Sequence, residues 1–189
     1  VGTKHKERSG ERLGIYFLET GSAMRASNVV YDRAHSSIST ATADEFNFDE
    51  IFADADWFHF TGITPAVSDA AIELTEAALK AAKAHGVTVS VDLNFRKKLW
   101  SSEKAQKVMT NLMQYVDVCI GNEEDAEKVL GFKPGNTDVT SGELELAGYV
   151  DIFNQMADKF GFKYIISSLR ESHSASNNDW SACIMDGQT

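Results

Sequence analysis

Val87-Thr88-Val89-Ser90-Val91-Asp92-Leu93-Asn94-Phe95-Arg96 is the stretch on which the fold turns. A short apolar run gives way to polar and charged residues, as expected of a strand buried in a parallel sheet whose carboxyl end opens to solvent. Upstream, Trp57-Phe58-His59-Phe60 runs into Thr61-Gly62. Downstream, Val116-Asp117-Val118-Cys119-Ile120 runs into Gly121-Asn122-Glu123-Glu124-Asp125, and Tyr164-Ile165-Ile166 follows. Helical stretches separate these runs, and the alternation predicts parallel β-α-β units.

The helices carry readable ends. Thr64-Pro65 predicts a capping residue before a proline at the first helical position, with Ile72, Leu79 and Ala82 on one face and Gly86 at a left-handed C-terminal cap. Ser101 and Ser102 with Glu103 open the next helix. Over 143–160 the spacing of Leu146, Val150, Phe153, Ala157 and Phe160 predicts one apolar stripe, closed by Gly161. Residues 172–179 read as a solvated loop before a strand from Trp180 to Met185. Ahead of Phe46, residues 13–18 and 28–34 alternate around a connection containing Gly21, which predicts two paired strands with one exposed face, a small lid.

The chain has 189 residues, 43% apolar and 24% charged, in the range of one compact unit with one main core. Its net charge of −10 repels phosphate backbones and anionic headgroups, so nucleic acid and membrane surfaces are excluded as first partners. An anionic ligand then needs a local cationic pocket. Only Cys119 and Cys183 occur, and Cys119 sits in an apolar run as a buried thiol, so a cytoplasmic location is expected. No apolar stretch is long enough to span a bilayer, and no signal-peptide core opens the chain. Val1 is not a methionine, and the C-terminal residues 184–189 end just after a turn signal with nothing to close the last strand. Both ends are therefore expected to be cuts, with residues 1–42 forming a partial β lid and 43–189 a truncated α/β core.

In open parallel sheets ligands bind beyond the carboxyl ends of the strands, so the residues after each run are the ones to inspect. Arg96 can grip a carboxylate or phosphate with two parallel hydrogen bonds; a surface salt bridge is the plainer reading beside Lys97 and Lys98. Tyr31 and Arg33 share one face of a lid strand, and Tyr16 lies on the partner segment; exposed decoration and packing are the alternatives. Asn122 with Asp125 three residues on reads as a capping pair, in a place that also suits phosphate or hydrated Mg²⁺. No G-x-G-x-x-G and no G-x-x-x-x-G-K-[ST] is present, which removes the main support for a dinucleotide-dependent oxidoreductase and for a P-loop enzyme. The five histidines are scattered, no Cys/His spacing fits zinc, and His85 reads as a charge complement in a helix's last turn.

Taken in order, Gly14-Ile15-Tyr16-Phe17, Val30-Tyr31-Asp32-Arg33, the run from Phe58 to Ala66, the run from Val91 to Trp100 and Asn122-Glu123-Glu124-Asp125-Ala126 resemble the ribokinase-like (PfkB) carbohydrate kinases. The resemblance implies a three-layer α/β/α fold with a mainly parallel sheet and a small β lid. It implies transfer of the γ-phosphoryl group of ATP, with Mg²⁺, to the terminal hydroxyl of 2-keto-3-deoxygluconate. Tyr16, Tyr31, Arg33 and Arg96 would then contact the sugar acid, with Asn94 at the pocket floor. Asn122 and Asp125 would lie near the phosphates, although Asp125 stands where the family usually has Glu. The family's nucleotide-contacting turn falls on residues 166–171, where its glycine is missing and Ser168 and Arg170 are the candidates. The family's catalytic Asp is expected beyond Thr189, which implies that this chain alone is inactive. A homo-oligomer formed through the lid strands is also expected. The other readings are a non-catalytic sugar-acid-binding or dimerisation module, and a kinase for a neutral sugar such as fructose or ribose.

Overall fold

The structure is a computed structural model, and it describes residues 4–22, 24–133, 142–172 and 177–186. Strands β1 (Ile15–Glu19) and β2 (Asn28–Asp32) pair antiparallel as a separate ribbon. Short helices α1 (Ser37–Thr40) and α2 (Phe48–Phe52) lead to β3 (Trp57–Thr61). Helices α3 (Ile63–Ala66) and α4 (Asp69–Ala84) precede β4 (Thr88–Asp92), and α5 (Ser102–Met113) precedes β5 (Val118–Gly121). One turn, α6 (Glu123–Asp125), runs into a π-helical turn over Ala126–Leu130. Helix α7 (Gly142–Phe160) then leads to the hairpin of β6 (Tyr164–Ser172) and β7 (Asn178–Asp186).

The main sheet has the order β3-β4-β5-β6-β7, parallel through β6 and antiparallel at the β7 edge. Register puts Phe60, Val91, Cys119 and Ile165 on one face, where they pack with Leu79, Met109, Leu112 and Ile152 of the helices in a single apolar core. Burial of this face supplies the main driving force for folding. The opposite face carries Trp57, Tyr164 and Ile184, all exposed. The described residues thus form two of the three expected layers, the sheet and the helices on one face.

Most sequence expectations hold, with instructive shifts. Gly86 and Gly161 take left-handed backbone after α4 and α7, as C-terminal caps require. Pro65, however, lies inside the short α3, and α4 starts later, with Ser68 accepting a hydrogen bond from the Ala71 N–H. The stripe of α7 is rotated: Ile152, Phe153 and Met156 are buried, whereas Val150 is half exposed. The ribbon has no buried face, because every residue of β1 is exposed. The turn expected at 166–171 is absent, since those residues continue β6 and pair with β7. The end of β6 at Ser172 and the start of β7 at Asn178 take up both ends of the loop expected over 172–179, of which 173–176 lie outside the described residues. The side chain of Leu146 lies outside the described residues.

Candidate functional site

The carboxyl ends of β3, β4 and β5 meet at one rim, and their approach is set by Gly62. Its N–H donates to the Asp92 carbonyl at 2.8 Å, and a Cβ at that position would collide with the Leu93 carbonyl oxygen. Beyond β4 the backbone turns through Asn94, whose φ of 42° is left-handed; asparagine tolerates this better than most residues. The Asn94 Nδ2 donates to Asp92 Oδ2 at 3.2 Å. Burial, followed by repulsion from Asp125, raises the Asp92 carboxyl above its ordinary pKa, with His59, Asn94 and Arg96 opposing the shift.

Asp125 ties this rim together. It is buried, and its Oδ1 accepts the Phe95 N–H at 2.8 Å while its Oδ2 accepts the Asn122 N–H at 3.1 Å. Asn122 Oδ1 accepts the Asp125 N–H at 2.8 Å in return, a reciprocal cap of the kind the spacing predicts. Both Asp125 oxygens are therefore engaged by backbone donors. Between β5, β6 and α7 lies a narrow cleft, lined in part by Gly121, Asn122, Tyr149 and Ser167, with the buried Ser167 Oγ lacking a hydrogen-bond partner among the described residues. Ser168 is half-buried in β6, one residue on and pointing to the other face. Arg170 pairs through its backbone with Trp180, and its side chain lies outside the described residues.

On the ribbon, Tyr16 and Tyr31 face each other across the strands with ring centroids 6.1 Å apart. Arg33 stacks its guanidinium on the Tyr31 ring. Arg12 anchors both ends of the ribbon. Its guanidinium donates to Asp32 Oδ1 at 3.0 Å and the Ala34 carbonyl at 2.7 Å, and its own carbonyl accepts the Ser37 N–H at 2.8 Å. Asp32 is thereby neutralised by Arg12 and leaves the charge of Arg33 available. The structure brings Tyr16, Tyr31 and Arg33 together, and separately gathers Asn94, Arg96, Asn122 and Asp125. Among the described residues no hydrogen bond, ion pair or ring contact joins the two groups, and Arg96 is exposed without a salt bridge.

The sequence places Asp92 and Gly62 at strand ends but gives neither a role in the site. Asp92 could have been found as a carboxylate at a strand end two residues before Asn94, and Gly62 as the glycine closing the first apolar run. Among the described residues no group of three His, Cys, Asp or Glu side chains could hold a metal ion. With Asp125 committed to backbone donors, the described residues build no protein-ligated metal centre.

The pfkB family carbohydrate kinase profile matches residues 1–151. The chain belongs to this family. Over 140 residues it is 41% identical to the 2-dehydro-3-deoxygalactonokinase of Haloferax volcanii, covering 74% of this chain and 43% of that protein. The crystal structure of 2-dehydro-3-deoxygluconokinase from Thermotoga maritima superposes with a TM-score of 0.87 and 48% identity, over 96% of this pfkB chain and 53% of that one. A ribokinase II from E. coli in complex with ATP and Mg²⁺ shares the fold at 17% identity and a TM-score of 0.54. The pfkB chain thus spans about half the length of these relatives. No helix among the described residues is long and apolar enough to cross a membrane.

Proposed function

We propose that the protein containing this chain transfers the γ-phosphoryl group of ATP to the terminal hydroxyl of a 2-keto-3-deoxy sugar acid, 2-keto-3-deoxygluconate in particular. The observation that carries the reading is the pair of guanidinium groups, Arg33 on the ribbon and Arg96 at the β4 rim, neither of which forms a salt bridge among the described residues. Two such cations suit a substrate carboxylate and give a neutral sugar nothing to match. Kinases for 2-dehydro-3-deoxy sugar acids among the similar proteins support the same class.

In this reading residues 1–42 act as a lid and 43–189 as the core beneath it. Tyr16, Tyr31, Arg33, Asn94 and Arg96 bind the sugar acid. Asn122 lies toward the phosphates, with Ser168 and Arg170 farther along the nucleotide side. Mg²⁺ enters on the ATP phosphates, which suits an ion that keeps much of its water and takes few protein ligands. Holding the sugar hydroxyl in line with the phosphorus and neutralising charge are the main catalytic tasks in such a transfer. A second copy of the chain, docked through the ribbon, completes the proposal.

The test is ATP consumption by the complete protein with 2-keto-3-deoxygluconate, its galactonate epimer, fructose and ribose. Turnover is expected with a sugar acid, and Arg96→Ala should cost about 1.5–3 kcal/mol in kcat/KM, the range for a lost charged hydrogen bond. Equal use of the neutral sugars, or an unchanged Arg96→Ala enzyme, would overturn the assignment.

A further inference from the structure

We infer that Asp125 is a positioning residue, whose carboxylate ties the segment after β5 to Phe95 and so fixes where Asn94 and Arg96 stand. The inference rests on the sugar-acid reading of those two residues. A helix cap needs only the reciprocal pair of Asn122 and Asp125, and that pair is complete with one Asp125 oxygen. The other oxygen reaches a different strand end, where it accepts the Phe95 N–H at 2.8 Å. Phe95 lies between Asn94 and Arg96, so this bond holds the centre of the tripeptide proposed to meet the substrate.

Three further features fit this role. An ionised carboxylate is acceptor-only and can take both N–H groups at once, whereas an amide offers one acceptor and one donor site. Leu93 is buried, and Asn94 keeps a left-handed backbone that persists only where its surroundings hold it. A Cβ on Gly121 would lie 3.1 Å from Leu93 Cδ1 and 3.2 Å from Asp125 Cβ, so the bare glycine lets the segment carrying Asp125 approach Leu93 closely. From there the Asp125 side chain reaches both donors.

The test uses Asp125→Asn and Asp125→Glu in the complete protein, with KM for sugar acid and for ATP, Mg²⁺ dependence, and amide hydrogen exchange at residues 94–96. Both variants should raise the sugar-acid KM about ten-fold, as expected when one charged hydrogen bond no longer orders the binding segment. Asp125→Asn also loosens the Asn122 cap, so the ATP KM can change alongside, and exchange at Phe95 is the readout that isolates the clamp. Exchange at the Phe95 amide should accelerate. An unchanged sugar-acid KM in a folded variant, or a change confined to ATP or Mg²⁺, would overturn the inference. If Asp125→Asn does not fold, Asp125→Glu decides by the same measurements. Exchange needs no turnover. If no sugar acid is a substrate the functional reading fails, while unaltered exchange at Phe95 separately sinks the clamp.

Discussion

The Arg33 guanidinium carbon lies 4.0 Å from the centroid of the Tyr31 ring. Stacking of this kind holds a long, mobile side chain in one orientation and leaves the edge of its fork free for an anion. Arg33→Ala should weaken sugar-acid use by about 1.5–3 kcal/mol in the complete protein. Tyr31→Ala should act partly through Arg33, so a double-mutant cycle should give a coupling of about 0.5–1 kcal/mol. Strict additivity of the two variants in kcat/KM would show that the stack does not orient the arginine.

At the opposite, amino-terminal end of the sheet, Asp117 is buried and accepts the Val89 N–H at 2.9 Å, with Lys83 at 3.1 Å and Lys163 at 3.2 Å. Burial alone would raise its pKa, but the Val89 N–H and the two ammonium groups outweigh burial and hold it below the ordinary value. A depressed folded pKa contributes stability above the unfolded value, about 3.9, and that contribution is lost as pH falls through the folded pKa. Asp117→Asn should therefore cost about 3 kcal/mol in urea unfolding at pH 7, and much less once the pH falls below the depressed folded pKa. A cost that does not shrink on acidification would contradict this.

Gly62→Ala pushes a methyl group into the Leu93 carbonyl, and backbone cannot swing aside as a flexible side chain can. The ends of β3 and β4 should spread, at about 1–3 kcal/mol in stability. Thermal melts of wild type and variant check this, and equal midpoints would mean that the rim accommodates the methyl without strain.

Asp92 has the opposite sign from Asp117. Its folded pKa is raised, first by burial and then by Asp125, so its contribution favours folding below the unfolded pKa and is lost as pH rises through the folded value. Asp92→Asn removes that loss. Relative to wild type, the variant's melting midpoint should rise between about pH 4 and pH 7. A difference independent of pH would show that the carboxylate carries no folding penalty.

The rim was largely legible from sequence because apolar runs ending in polar residues report strand ends directly. Val87 to Val91 became β4 and its flank, and the Asn122 to Asp125 spacing became a reciprocal cap. Other features depend on partners distant in sequence. Ser167 to Ser172 is too polar to read as a strand, yet pairing with β7 keeps it extended. In α7 the apolar residues occupy adjoining faces; spacing alone points to the stripe through Val150, and packing selects the rotated one with Ile152 and Met156. The bond from Asp125 to Phe95 joins positions 30 residues apart, a distance that no local pattern encodes.

Arg12 gives the ribbon a mechanical character. It grips Asp32 and Ala34 with its side chain and Ser37 with its carbonyl, so the strand entering the ribbon and the segment leaving it are fastened at one point. A ribbon pinned in this way is braced as one panel, so Tyr16, Tyr31 and Arg33 keep their places relative to one another.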